Sequence, residues 1–383
     1  MFKLRAPIFV FSMVLLAALV SFAQQVYISN EPKQSLQLLN LSEQPATLTT
    51  LYTAAGKLDD LIVNSAGQLI YTIPSLGQVD LYDPSTGQNT ILTSGIKNAR
   101  DLFIEPGGKT LLIASYSRGE IYRFNFSTGA LTVLAQKLKT CDGIAYDPYG
   151  NLYAVANHNT IVQVDPVSGN VLNTLVLEPH NAINGGDGLT YDRYSGSLWA
   201  THDGTTGIGV LQIPVTAAGL GTTFSLFVTP TLQGSAPDGI KSDGLGNLYI
   251  GAIWSATVYN IPTNSITKKV IVKGADGIAL VPGPATSIAI TGGNNQTAPA
   301  GSQLPQALTV LVNDQYGNPV AANSVTFSDG AAGGTFSNAN PVSTGVDGIA
   351  SQMYTLPAIP QTVTLTATAT GVASPAVFAE TGH

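Results

Sequence analysis

Cysteine is almost missing from this sequence. Cys141 stands alone among 383 residues, so no internal disulfide can form and stability has to come from packing. Charge is scarce as well. Charged residues are 10% of the chain, with 16 Lys and Arg against 23 Asp and Glu. No basic cluster occurs, which argues against nucleic acid as a partner because phosphate binding needs gathered Lys and Arg. Long apolar runs are also lacking: the one run of note, Ile8 to Val20, falls short of the roughly 20 residues that a membrane-spanning helix needs. There is no Gly-rich phosphate loop, no zinc-ligand spacing and no hydrolase nucleophile elbow.

What is present points to export and to β-structure. Lys3 and Arg5 precede the apolar run, and "SFAQQ" follows it, with Ser21 and Ala23 fitting a small-x-small cleavage site. Residues 1–23 therefore read as a secretory signal peptide. The mature chain, more acidic once Lys3 and Arg5 are gone, is expected to be secreted, periplasmic or on the cell surface, with no transmembrane segment. The 40 Gly and 22 Pro, set among runs rich in Val, Ile, Thr and Tyr, indicate an all-β chain with many tight turns.

One skeleton recurs: Asp-Gly, an apolar pair, a turn ending in Gly, then an apolar-aromatic strand. It runs through "DDLIVNSAGQLIY" from Asp59, "RDLFIEPGGKTLLI" from Arg100, "DGIAYDPYGNLY" from Asp142, "DGLTYDRYSGSLW" from Asp187 and "DGIKSDGLGNLYI" from Asp238. A sixth copy, "DGIALVPG" from Asp276, stops after one strand. Intervals of roughly 40–50 residues are the length of a four-stranded propeller blade. "QVYIS" at 25–29 supplies what the sixth copy lacks, so a six-bladed β-propeller is expected over residues 24–283, closed by pairing the N-terminal strands with the strand at Ile278. Closure leaves no exposed sheet edge. From Pro284 the repeat ends. Runs such as "ALTVLVND", "SVTFSD" and "TVTLTATAT" alternate with turn clusters, as in a β-sandwich, over residues 284–383.

Two resemblances accompany this reading. "VNDQYGNPV", "GGTFS" and "STGVDGIAS" look like the bacterial invasin/intimin (Big-1) immunoglobulin-like domain, which implies a spacer or adhesive module. The "DGIAYDPYGNLY" type of repeat resembles the NHL and SMP-30/gluconolactonase/LRE-like group of propellers. That scaffold carries hydrolases, lyases and pure binding modules alike. In SMP-30-like lactonases a divalent metal is held by a Glu near the mature N-terminus, by Asn residues including one in a Pro-Asn-Gly motif, and by an Asp in an Asp-Gly motif. Asp187 and Asp238 match only the last of these, and no Pro-Asn-Gly occurs.

The repeat separates scaffold from candidate site. In a four-stranded blade the start of the innermost strand and the hairpin between strands two and three lie at one end. The "DPYG", "DPSTG", "DPVSG" and "FSTG" turns belong to the other end and read as ordinary turn chemistry. At the first end five innermost strands begin with Asp (59, 142, 187, 238 and 276), and Arg100 takes the sixth place. Two readings stand. In one, Asp-Gly is joinery that accepts backbone N–H bonds. In the other, Asp142, Asp187 and Asp238 form a metal site, with Ca2+ the ion such carboxylates would take, and Arg100 neutralises its neighbours or receives a ligand carboxylate.

The hairpin tips differ from blade to blade: Glu31, Ser75, Tyr116, His158, Asp203 and Trp254. His202 adjoins Asp203, and the crossover "EPHNAINGG" adds His180, Asn181 and Asn184. Three histidines are thus expected on one rim, where His serves as base or ligand near neutral pH, or else as solvated loop residues. Trp254 and Tyr116 offer stacking surfaces for a sugar or an apolar ligand. Cys141 reads as buried filler. The sequence supports first a binding protein that uses Arg100, Tyr116, His158, His180, His202, Asp203 and Trp254 to hold a small molecule, polysaccharide or surface protein. Second comes a Ca2+-dependent lactonase, hydrolase or lyase, and third a purely structural platform.

Overall fold

The computed structural model describes residues 25–177, 187–203, 208–228, 236–337, 339–345 and 347–383. Every element in it is a β-strand. No helix among the described residues is long and apolar enough to cross a membrane.

Six antiparallel sheets carry the repeat, and each is called a blade. Blade 1 runs from Leu61–Val63 at the centre through Leu69–Ile73 and Gln78–Asp83 to Gln88–Ser94. Blades 2, 3 and 5 follow the same path, starting from innermost strands Ala99–Ile104, Cys141–Tyr146 and Pro237–Ser242. Blade 4, from Leu189–Asp192, carries an extra short strand, Gly219–Leu220, beside its third strand. Blade 6 is made from both ends of the repeat region. Its innermost strand, Ala275–Leu280, pairs with Gln25–Asn30 in the register Val26 to Leu280, Tyr27 to Ala279 and Ile28 to Ile278, and Ser35–Asn40 and Thr47–Thr53 complete the sheet.

The innermost strands touch one another in cyclic order, blade 6 meeting blade 1 as well as blade 5. Packing follows the same order. Separate apolar clusters fill each junction: Ile70 with Leu102 between blades 1 and 2, Ala154 with Cys141 and Leu112 between 2 and 3, Tyr153 with Leu198 between 3 and 4, Trp199 with Ile250 between 4 and 5, Val258 with Ile28 between 5 and 6, and Leu36 with Tyr71 between 6 and 1. The joint between blades 6 and 1 is therefore packed like the others, and the all-β propeller is a complete ring. Second strands such as Leu69–Ile73 are buried on both faces because neighbouring blades cover each side. Outermost strands such as Thr47–Thr53 lie largely in solvent, which is why they are rich in Thr.

The remaining strands build a sandwich around its own core. A three-stranded sheet, Ala285–Gly292, Leu308–Asp314 and Ile349–Gln352, faces a five-stranded one that includes Ser324–Ser328, Thr362–Ala369 and Ala376–Gly382. Val310, Val312, Phe327, Tyr354, Leu365 and Phe378 fill the space between. The strict alternation of buried and exposed residues in Thr362–Ala369 is the period-two pattern of a sheet with one wet face.

The "QYGNP" turn joins the two parts. Asp314 Oδ1 accepts from the backbone N–H groups of Tyr316 and Asn318, each at 2.9 Å, and Asp314 Oδ2 accepts from the Gly283 N–H at 3.1 Å. The turn so shaped receives a hydrogen bond from the propeller: Arg193 Nη2 donates to the Tyr316 carbonyl at 2.7 Å. Tyr316 packs against the cluster between blades 5 and 6. Arg193 lies in the turn between the first and second strands of blade 4, so the sandwich sits at the end of the propeller opposite the hairpin tips.

Candidate functional site

Where the blades converge, glycine does the joining. The Gly143 N–H donates to the Asp187 carbonyl at 2.8 Å, Gly188 to that of Asp238 at 3.1 Å, and Gly277 to that of Asp59 at 3.1 Å. A Cβ at Gly143 would stand 2.5 Å from the Asp187 oxygen, and one at Gly188 would stand 2.4 Å from that of Asp238. No side chain fits such an approach, so the recurrent glycine is a spacing requirement at the axis. Asp-Gly is thus joinery that accepts backbone N–H bonds, through the aspartate's main-chain carbonyl, and the carboxylate is left for the axis.

Blades 1 and 2 depart from this pattern, with Asp60 and Asp101 in the glycine position. There the carboxylates themselves bridge to the next blade. Asp60 Oδ2 accepts from the Leu102 N–H at 3.2 Å, and Asp101 Oδ2 accepts from the Ile144 N–H at 2.5 Å. Two extra negative charges at a buried axis need compensation, and Lys241 from blade 5 provides it. Its ammonium stands 3.4 Å from both Asp60 Oδ2 and Asp101 Oδ1. Burial pushes Asp60 well above the usual carboxylate range in spite of Lys241, whereas the two carboxylates raise the Lys241 ammonium against its own desolvation. A cavity of about 10 Å³ beside this triad has room for about one water. The sequence reading passed over Asp60, Asp101 and Lys241, although each breaks the repeat at its position.

Above the triad lies the ring of Asp59, Arg100, Asp142, Asp187, Asp238 and Asp276. Arg100 Nη1 donates to Asp59 Oδ2 at 2.5 Å, so of its neighbours it pairs with Asp59. Burial first, then the other carboxylates, raise Asp59 to about 7 against the pull of Arg100. Burial and the facing carboxylates likewise push Asp142, Asp187 and Asp276 upward. Among the described residues no three His, Cys, Asp or Glu side chains are grouped to hold a metal ion. The expected Ca2+ set of Asp142, Asp187 and Asp238 thus belongs to an axial ring that Arg100 completes, without a gathered ligand cluster among the described residues.

The hairpin tips surround this ring. Arg100 lies over the Tyr116 ring, 5.1 Å from its centroid, and Tyr116 Oη is 3.2 Å from both ring nitrogens of His158. One chain of contacts therefore links axis to rim across blades 2 and 3. His158 holds its place with φ 64°. Of the expected rim histidines within the described residues, His202 does not join it. His202, at the end of Ser197–His202, is buried with 1% exposure because both faces of a second strand are covered by neighbouring blades, so it is no rim residue. His180, Asn181 and Asn184 lie outside the described residues. Asp203 is half-buried at the start of its hairpin, and Ser75 is exposed. Glu31 pairs with Lys57 at 2.9 Å on the surface. Trp254 is 47% exposed, with the Lys273 ammonium 5.2 Å from its ring centroid. Beside it is a cleft of about 260 Å³, bounded by Glu31 and Pro32 of blade 6 and by Ile253, Trp254 and Lys273 of blade 5, with Asp276 at its inner end. Cys141 is fully buried, and burial raises its thiol well above the usual range, as expected of packing filler.

No protein-family model matches the chain, and no curated protein matches it. Solved structures do. The chain is similar to a chain of a nidogen/laminin complex, with a TM-score of 0.55 at 17% identity, covering 67% of this chain and 98% of that one. It is similar to a chain of the Kuenenia stuttgartiensis hydrazine synthase, with a TM-score of 0.52 at 16% identity over 67% of this chain and 86% of that one. Virginiamycin B lyase from Staphylococcus aureus gives a TM-score of 0.49 at 16% identity, covering 78% of this chain and 90% of that one. At these identities the likeness is one of fold, and the fold is the β-propeller.

Proposed function

We propose that this is an exported bacterial protein whose propeller binds a ligand or partner with the face that carries the hairpin tips. The C-terminal sandwich, as an invasin/intimin-type immunoglobulin-like module, serves as spacer or adhesive element. One observation carries this reading: the sandwich docks through Arg193 and Tyr316 at one end of the propeller, while the chemically varied tips, half-buried Tyr116 and His158 and exposed Trp254, stand at the other. Joinery repeats from blade to blade, but these tips do not, and binding chemistry is expected where a repeated scaffold varies. The partner is a small molecule, polysaccharide or surface protein met outside the cytoplasm, with cell-envelope polysaccharide the favoured case because the exposed Trp254 indole, with the half-buried Tyr116 ring on the same face, offers a stacking surface,.

The test is capture. Immobilised full-length chain should retain cell-envelope polysaccharide, and the paired change Tyr116→Ala with Trp254→Ala should lower retention by about ten-fold or more at an unchanged melting temperature. Undiminished retention by the pair would count against the proposal. The alternative, a Ca2+-dependent hydrolase or lyase, predicts calorimetric heat on Ca2+ addition that Asp187→Ala abolishes.

A further inference from the structure

We infer that the cleft beside Trp254 is a saccharide subsite that takes one neutral pyranose ring, with the apolar face of the sugar against the indole. The inference rests on the binding reading above and names its ligand class and place. Size is the first ground. At about 260 Å³ the cleft is smaller than the roughly 300–1,000 Å³ of pockets that enclose drug-sized molecules, which suits a single ring whose neighbours stay in solvent.

The walls are the second ground. Ile253 and Trp254, adjacent at the tip, are 50% and 47% exposed, and Pro32 faces them across the cleft. They are not needed to seal the joint between blades 5 and 6, which Val258, Val272 and Ala275 fill beneath them. Two large apolar side chains left in water at one spot form a platform for another apolar surface, and the C–H face of a sugar ring is such a surface with a hydroxylated edge.

The polar rim decides the charge. Glu31 and Asp276 supply acceptors for hydroxyl protons, and the Lys273 ammonium supplies donors. An anionic sugar would find a single cation in the lining, Lys273, already seated over the Trp254 ring, with the Glu31 carboxylate across the cleft. A cationic ligand would have to displace Lys273, whose ammonium already occupies the attractive position over the Trp254 ring,. A neutral ring stacked on the indole also moves Lys273 aside, but the ammonium then bonds to its hydroxyls instead of repelling it, and Glu31 and Asp276 accept from them.

The chain contains two tryptophans, and Trp199 is buried with its indole N–H donated to Ser195. Emission changes on ligand addition therefore report Trp254. Full-length protein is titrated with cellotetraose, chitotetraose and tetragalacturonate. A neutral tetrasaccharide should shift the emission to the blue and shield Trp254 from acrylamide. In retention on the matching immobilised sugar, Trp254→Ala should lose about ten-fold or more, Trp254→Phe should keep most of it, and Tyr149→Ala, an exposed aromatic in the turn at the other end of blade 3, should leave it intact. Unchanged emission with both neutral sugars, tighter binding of tetragalacturonate, or full retention by Trp254→Ala would overturn the assignment. If envelope polysaccharide is still captured and depends on Tyr116 rather than Trp254, the cleft assignment fails and the binding face stands. If the wild-type chain captures none, the wider reading fails with it.

Discussion

Lys241 Nζ stands 3.4 Å from Asp60 Oδ2, a contact that crosses the propeller axis from blade 5 to blade 1. It exists because blades 1 and 2 replace the joining glycine with carboxylates, and a lysine three residues after Asp238 in another blade's inner strand offsets their charge. Removing one member of such a buried group leaves the others uncompensated. Lys241→Met is expected to cost about 3–5 kcal/mol, read from the urea midpoint of the full chain. Adding Asp60→Asn and Asp101→Asn should recover much of that loss. A wild-type midpoint for Lys241→Met would show that the triad does not hold the axis.

The axial ring sets a pH dependence. Asp59 is raised to about 7, and Asp142 lies above its ordinary range through burial and the facing Asp187. A carboxyl raised on folding holds its proton more tightly folded than unfolded. Its contribution is complete below the unfolded value near 4 and is lost as pH climbs through the folded value. The melting temperature should therefore fall between pH 5 and pH 8. Asp142→Asn should flatten that slope without lowering the value at pH 8, and scanning calorimetry at the two pH values separates this from a rising or unaltered profile.

Glycine at the axis should be irreplaceable. Gly188→Ala puts a methyl 2.4 Å from the Asp238 oxygen and forces blades 4 and 5 apart, at an expected cost of about 3 kcal/mol or more. Gly196→Ala is the comparison, since nothing lies within 4 Å of its Cβ position and only the strain of φ 63° opposes it, at about 1 kcal/mol. Equal losses in thermal unfolding would contradict the spacing role.

The contact between the two parts can be loosened at one residue. Gly317 has φ 83°, and a Cβ there would stand 2.2 Å from Arg193 Nη1. Gly317→Ala should therefore break the Arg193 bond to Tyr316 and widen the molecule in small-angle scattering, with Arg193→Ala acting in the same direction more weakly. Scattering curves identical to wild type would place the hold between the parts elsewhere.

The ring was legible in the sequence because joinery repeats. Asp-Gly, the turn glycine and the aromatic strand recur wherever one blade meets the next, and the pairing of Ile28 with Ile278 follows from counting what the sixth copy lacks. The rim was legible in part. Tyr116, His158 and Trp254 occupy hairpin tips, whereas His202 is one residue short of its tip and inside the blade, a distinction of one position that period two cannot draw where both strand faces are buried. Lys241 carried a signal that went unread: its counterparts, Ala145, Thr190 and Ala279, are uncharged. The cleft was legible in outline, since closing the ring sets the tips Glu31 and Trp254 on neighbouring blades, but the seat of Lys273 over the indole was not.

Hydrogen exchange of the full chain with and without captured envelope polysaccharide tests the binding face most directly. Protection is expected in the tips around Glu31, Tyr116, His158 and Trp254, with the turn at Arg193 and the strands of the sandwich unchanged. Protection that falls on the Arg193 turn or the sandwich and leaves the tips as they were would contradict the account.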